Sequence, residues 1–215
     1  MKGLALVIVD MQKYYLESDS AYSRYFNFLY PGSLSYIMDR SYDVIIPNII
    51  KIKQSFKASD LPVIYLRLCG DDSNRRDLHR FFKKTYEDGL ARGYPGVYPL
   101  ESESAADIVD ELKPDSDDII VNKTTFSPFA SSNIDSILKS MGITALVFTG
   151  LATSQCVETT ARDASDRGYE ILQIDDAQAD YDELVHQASL YSSRGVCGGT
   201  IYDTDSFLEL VMKVT

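Results

Sequence analysis

Continuous apolar runs punctuate the chain at residues 4–9 (LALVIV), 62–66 (PVIYL), 119–121, 145–149 (ALVFT) and 169–174 (YEILQI). Each is short and rich in Val, Ile or aromatic residues. None alternates the way a strand with one wet face does, so each predicts a strand buried on both sides. Between several of these runs, hydrophobic residues recur at helical spacing. Ile45, Ile49, Ile52 and Phe56 share one face, Ile134, Ile137, Leu138 and Met141 form a second stripe, and Leu184, Ala188 and Tyr191 a weaker third. Gly142 follows one predicted helix and Gly168 another, where a left-handed cap would sit. Strands alternating with amphipathic helices predict an α/β fold with a parallel sheet covered on both faces. No repeat, low-complexity tract or Pro/Gly/Ser-rich linker interrupts the pattern, so residues 1–215 are read as one domain.

Two segments depart from the alternation. Residues 14–42 hold seven of the fifteen tyrosines, together with Phe26 and Phe28. Aromatic residues with polar tips suit a pocket, a subunit interface or ordinary packing, and all three remain open. Residues 71–100 form a long polar connection. Within 71–88 the charges of Arg75, Arg76, Arg80, Lys83 and Lys84 are cancelled by Asp71, Asp72, Asp77, Glu87 and Asp88. A solvated helix or loop is one reading, a lid over a substrate the other.

The charge balance narrows the partners. With 21 Lys+Arg against 32 Asp+Glu, the net charge is −11 and the pI near 4.6. That field repels phosphate backbones and anionic lipid, which argues against nucleic acid and membrane surfaces as partners. The first apolar run ends at Asp10, too soon for a signal-peptide core, and no stretch approaches the ~20 apolar residues of a membrane span. The three cysteines stand far apart at 69, 156 and 197, without a Cys-x-x-Cys pair, and there are two histidines. A structural zinc site or disulfide framework is therefore not expected, and reduced thiols in the cytoplasm are.

In open α/β sheets, ligands bind beyond the carboxyl ends of the strands, so the polar residues ending apolar runs come first as candidates. Asp10 closes the first run, where partial desolvation would suit proton transfer and where an Asp could equally cap the next loop. Lys123 follows the third run, functional or merely solvated. Cys156 follows the fourth across Gly150-Leu151-Ala152-Thr153-Ser154-Gln155, ahead of a helical stretch. A helix N-terminus favours thiolate, whereas most free cysteines are buried structural thiols, the reading kept for Cys69 and Cys197. Carboxylate, lysine and cysteine on strand ends of one sheet could converge on one cleft. There a base would activate the thiol and a cation would favour its thiolate.

The motifs carrying these residues resemble the isochorismatase-like cysteine hydrolases. The matching stretches are Leu6-Val7-Ile8-Val9-Asp10-Met11-Gln12, Val121-Asn122-Lys123-Thr124-Thr125-Phe126-Ser127-Pro128-Phe129, and residues 147–164 around Cys156, continuing to Asp175-Asp176-Ala177. The resemblance implies a Rossmann-like three-layer α/β/α fold with about six parallel strands. It implies Asp10 as general base and acid, Lys123 as electrostatic partner and Cys156 as nucleophile. It also implies a cis peptide at Leu151–Ala152 and an oxyanion hole made by the N–H groups of Ala152 and Cys156. The expected reaction is hydrolysis of a small non-peptide amide or ureido C–N bond through a thioester, with no cofactor, in a homo-oligomer (dimer or tetramer).

Departures from subfamily patterns narrow the expectation. Metal-dependent nicotinamidases of this family place an Asp-x-His element directly after the second strand. Here Asp77-Leu78-His79 lies well beyond it, Arg67-Leu68-Cys69 occupies the expected place, and His186 follows Cys156, so no metal is expected. The 123–129 stretch is most similar to ureidoacrylate, biuret and N-carbamoyl amidohydrolases. By that likeness Phe126 and Phe129 would wall the pocket, with core packing as the alternative. Gln12 is placed with the pocket residues as a support of the Asp10 loop. A vinyl-ether hydrolase working through Asp10 without Cys156, and a non-catalytic relative, are the competing readings.

Overall fold

The computed structural model describes residues 3–214. Their sheet is built from β1 (Leu4–Val9), β2 (Val63–Leu68), β3 (Ile119–Lys123), β4 (Ala145–Leu151), β5 (Glu170–Ala179) and β6 (Thr200–Tyr202), in the order β3-β2-β1-β4-β5-β6. Every pairing is parallel. The expected six-stranded Rossmann-like sheet is therefore what forms. All six residues of β1 are buried, because this strand runs between β2 and β4 with helices on both faces. Its side chains alternate between two cores: Leu4, Leu6 and Ile8 face one, Ala5, Val7 and Val9 the other.

The first core is closed by α4 (Ile46–Ala58) and α9 (Thr204–Val214), through Ile49, Ile52, Phe56, Phe207 and Val211. The second is closed by α6 (Ile134–Ser140) and α7 (Glu158–Asp166), through Ile134, Leu138, Ala161 and Ala164. Gly142 and Gly168 follow α6 and α7 with positive φ, as their capping position requires. The Tyr-rich segment is helical: α1 (Lys13–Leu16), α2 (Ala21–Leu29) and α3 (Ser35–Arg40) lead through a π-helical turn, Ser41–Ile45, into α4. The charged connection contains α5 (Arg80–Ala91). Among the described residues no helix is long and apolar enough to cross a membrane.

Three differences from the sequence pattern have physical causes. The strands run past their apolar runs into polar residues, because ladder pairing such as Leu68 with Lys123 depends on the backbone rather than on side-chain polarity. The third helical stripe is corrected. In α8 (Glu183–Ser192) the buried face carries His186, Ser189 and Leu190, while Leu184 is 82% exposed. Hydrogen bonds between the ring nitrogens of His186 and Thr153 and Asp175 permit that burial. β6 escapes any run-based reading because it is three residues long and partly exposed.

The strand order reverses between β1 and β4, which opens a crevice above their carboxyl ends. Asp10 leaves β1 at that crevice, and the segment leading to Cys156 leaves β4 beside it.

Candidate active site

Asp10 turns the chain off β1 with φ 51°, in the left-handed region that Asp tolerates better than most residues. Its N–H donates to Leu66 O at 3.0 Å, and its carbonyl accepts from the N–H of Gln12 at 2.8 Å. Gln12 holds this turn from below. Its Oε1 accepts from Leu68 N at 2.7 Å, and its Nε2 donates to Ala106 O at 2.8 Å and Leu68 O at 3.3 Å. Gln12 is thus a fully buried brace tying the Asp10 turn to β2.

The segment before Cys156 depends on Gly150. At φ +100° its backbone passes so close to β1 that a Cβ would stand 2.2 Å from Val9 O. Leu151–Ala152 is a cis peptide, and a π-helical turn, Thr153–Val157, then carries Cys156 into α7. The turn is pinned from β5 and α8. Asp180 Oδ2 accepts from Ser154 N at 2.6 Å, and Thr153 Oγ1 lies 2.8 Å from His186 Nδ1. His186 Nε2 in turn lies 2.9 Å from Asp175 Oδ1, and that hydrogen bond holds the Asp175 carboxyl below its usual range.

Lys123 reaches the same point from the end of β3. Its ammonium donates to Asp10 Oδ2 at 2.9 Å, to Cys156 Sγ at 3.2 Å and to Thr125 O at 3.3 Å, so each of its three N–H bonds has a partner. Asp10, Lys123 and Cys156 are 3%, 0% and 5% exposed. Burial works against the ammonium and is the largest single influence on it. Its interactions with Asp10 and with the Cys156 sulfur together outweigh burial and raise its pKa. Burial, and then the charge of Asp10, push the Cys156 thiol up, with Lys123 opposing. Burial and the Asp10 charge thus work against the thiolate that a helix N-terminus favours.

Asp10, Ala152, Gln155 and Cys156 open onto a cavity of about 180 Å³, smaller than typical sites for drug-sized ligands. The two irregular segments wall it. Tyr15, Tyr22 and Phe26 come from the first, and Phe81, Phe82 and Tyr98 from the second, with Leu68 and Tyr181 completing it. Tyr181 Oη lies 2.5 Å from that of Tyr15 and 3.1 Å from that of Tyr22.

Residues 4–206 match the isochorismatase domain model. The chain is 33% identical over 202 residues to a ureidoacrylate amidohydrolase RutB of Pseudomonas savastanoi pv. phaseolicola, covering 87% of this chain and 76% of that one. The chain belongs to the isochorismatase-like hydrolase family. A RutB of Acinetobacter baylyi is 41% identical over 104 residues, 47% of this chain; the match spans 42% of that relative's length, less than half. A cysteine hydrolase structure from Pseudomonas syringae pv. phaseolicola 1448A superposes with TM-score 0.79 at 24% identity, over 99% of this chain and 94% of that one, a likeness of fold.

Within this isochorismatase-like frame, the strand-end residues read from the sequence meet, and the expected pocket residues do not line the cavity. Gln12 lies beneath the Asp10 turn. Phe126 backs the wall, its ring 4.5 Å from that of Phe82. Phe129 belongs to the opposite core, beneath the Arg167 guanidinium at 4.9 Å. The Asp-x-His element is not assembled into a metal cluster: Asp77 accepts from Asp71 N, His79 caps α5, and His186 sits beneath the Cys156 turn. Asp115, Asp117 and Asp118 do approach one another, but they precede β3 at the far end of the sheet and pair with Lys53 and Lys57. The aromatic walls could not be assigned from spacing, because Phe26 and Phe81, the nearest lining residues of the two segments, are 55 positions apart in sequence and meet only on folding. The available signal was the density of tyrosines just after Asp10.

Proposed function

We propose that the chain is a cysteine amidohydrolase acting on a small non-peptide amide or ureido C–N bond. The observation that carries this reading is a single buried ammonium, on Lys123, contacting both a carboxylate, Asp10, and a thiol, Cys156, at the floor of a small cavity. The relatives named for ureidoacrylate support a ureido or amide carbonyl as the target.

Asp10 takes the Sγ proton as the sulfur attacks the carbonyl carbon, forming the C–S bond. The negative charge that develops on the former carbonyl oxygen is met by the backbone N–H groups of Ala152 and Cys156. Collapse breaks the C–N bond. Asp10 returns its proton to the departing nitrogen, and a thioester remains on Cys156. Water then attacks as Asp10 accepts its proton, and the thiol re-forms with the acid product. Lys123 keeps a positive charge between Asp10 and the sulfur throughout, offsetting the repulsion a bare carboxylate would impose on a thiolate. Burial and the Asp10 charge both disfavour a free thiolate, so proton transfer to Asp10 accompanies the attack.

The test is Cys156→Ala assayed on small amides and ureido compounds, with isochorismate alongside. Loss of C–N hydrolysis by at least ~10³-fold is expected. Full C–N hydrolysis by the variant, or turnover of isochorismate that survives loss of the thiol, would overturn the assignment.

A further inference from the structure

We propose, on the basis of the amidohydrolase reading, that His186 is a positioning residue for the oxyanion hole. Backed by Asp175, it holds Thr153, and through Thr153 it aims the Ala152 and Cys156 N–H groups at the reacting carbonyl oxygen.

Apolar periodicity gives α8 no reason to bury a histidine, yet His186 is 0% exposed and Thr153 1%. Thr153 Oγ1, the imidazole and the Asp175 carboxylate stand in series, 2.8 Å and 2.9 Å apart, and Tyr191 donates to the second Asp175 oxygen at 2.9 Å. The hydrogen bond with His186, and then that of Tyr191, hold the Asp175 carboxyl below its usual range, so it accepts on both oxygens. His186 Nε2 therefore carries a proton, and in the neutral ring Nδ1 accepts the one on Thr153 Oγ1. A hydroxyl, an imidazole and a carboxylate in series have the composition of a nucleophilic triad. This one is sealed, for neither Thr153 nor His186 lines the active-site cavity. It acts on the reaction only through the backbone it holds.

That backbone carries the donors an oxyanion needs. Thr153 directly follows Ala152, and Cys156 stands three residues on. The Ser154 N–H is taken by Asp180 Oδ2 at 2.6 Å, and those of Gln155 and Val157 by Ala152 O at 3.0 Å and 3.3 Å. Among the described residues the Ala152 N–H makes no hydrogen bond, and Ala152 lines the cavity. One turn along α8 from His186, Ser189 donates to Glu158 Oε2 at 2.6 Å. His186 and Ser189 thus grip the chain at Thr153 and Glu158, on either side of Cys156. Apolar contacts would stabilise the turn as well, but the angular demand of hydrogen bonds also fixes its rotation.

Benzaldehyde is the probe, because its addition to Cys156 builds the oxyanion without a turnover substrate. Sγ bonds to the carbonyl carbon, the C=O π pair moves to oxygen, and the thiol proton goes to Asp10. Iodoacetamide is the control, since displacement of its iodide by the same sulfur forms no oxyanion. Benzaldehyde affinity is read at pH 9 as protection of Cys156 from alkylation, followed by mass spectrometry. Thr153→Val should weaken benzaldehyde at least about tenfold while the alkylation rate changes less than about threefold. Thr153→Ser restores the hydroxyl and should bring benzaldehyde back to within about threefold of the parent. The double variant Thr153→Val/His186→Leu leaves neither partner unpaired, and Asp175 is exposed enough for water to replace its lost bond. It should unfold at a temperature closer to the parent's than Thr153→Val does, yet bind benzaldehyde no better. Equal losses in both reactions, no rescue by Thr153→Ser, recovery in the double variant, or a parent that benzaldehyde does not protect would overturn the positioning role. C–N hydrolysis that survives Cys156→Ala would instead overturn the amidohydrolase reading, which the benzaldehyde comparison does not measure.

Discussion

Replacing Lys123 by Met keeps most of the apolar stem of the side chain and removes the ammonium, with its charge and its three N–H donors. In the native site the ammonium and Asp10 Oδ2 are 2.9 Å apart and both side chains are almost completely buried. At an effective dielectric of ~20, two unit charges at that distance attract by about 6 kcal/mol. The desolvation of both groups cancels part of this, but the variant gains back only the lysine's share. Asp10 Oδ1 has no hydrogen-bond partner already, so the variant leaves a buried carboxylate with neither oxygen satisfied. Breaking such a pair from one side costs about 3–5 kcal/mol. Urea denaturation at pH 7 should show that loss, and activity should fall by at least ~10³-fold, because an unpaired buried carboxylate takes up a proton and ceases to be a base. In an Asp10→Asn background the same Lys123→Met change should cost at least ~2 kcal/mol less, since the orphaned charge is gone. A cost below ~1 kcal/mol in the parent, or an equal cost in both backgrounds, would refute the assignment of Lys123 as the counter-charge of Asp10.

Other expectations follow from the same geometry. Gln12→Leu strips the partners from Leu68 N and Ala106 O, so unfolding should become easier by about 3 kcal/mol. Release of the Asp10 turn should also lower kcat at least tenfold, as measured by steady-state kinetics. Alkylation of Cys156 by iodoacetamide should stay slow at neutral pH and climb past pH 9 without levelling, because burial and Asp10 raise the thiol; a plateau near pH 7 would contradict this. Burial raises Tyr14, Tyr15, Tyr22 and Tyr98 well above 10.0. The native state therefore holds those protons more tightly than the unfolded chain, and the stability they confer is full below pH 10 and lost as pH rises beyond it. Tyrosinate absorbance and circular dichroism should change together at the upper end of an alkaline titration; early ionisation of these four would be inconsistent with their burial.

The central sheet was legible because parallel strands covered on both faces need an apolar run, and each of β1 to β5 carries one. The reacting residues were legible for a related reason: a polar residue directly after a buried strand has a fixed place at the sheet's carboxyl edge. Asp10 and Lys123 are such residues, and Cys156 lies one turn further on. What the pattern could not convey depends on folded contacts. The face of α8 was misassigned because His186 is buried through two hydrogen bonds rather than through apolarity. Motif likeness left Phe129 between pocket wall and core packing, and the chain beyond β3 turns it into the opposite core. For Cys156 the sequence left open a thiolate favoured by a helix N-terminus and a buried thiol; the π-helical turn buries it, and burial is the largest influence on the thiol. The cavity walls come from residues 15–26 and 81–98, whose meeting no local periodicity encodes.

Partition of the acyl group between water and hydroxylamine tests the covalent mechanism most directly. Two substrates sharing one acyl group but carrying different leaving amines are turned over in the presence of hydroxylamine, and the hydroxamate-to-acid ratio is measured for each. A thioester on Cys156 common to both predicts one ratio independent of the amine, and Cys156→Ala should form neither product. Ratios that follow the leaving group, or hydrolysis without hydroxamate that persists in Cys156→Ala, would contradict nucleophilic catalysis by this thiol.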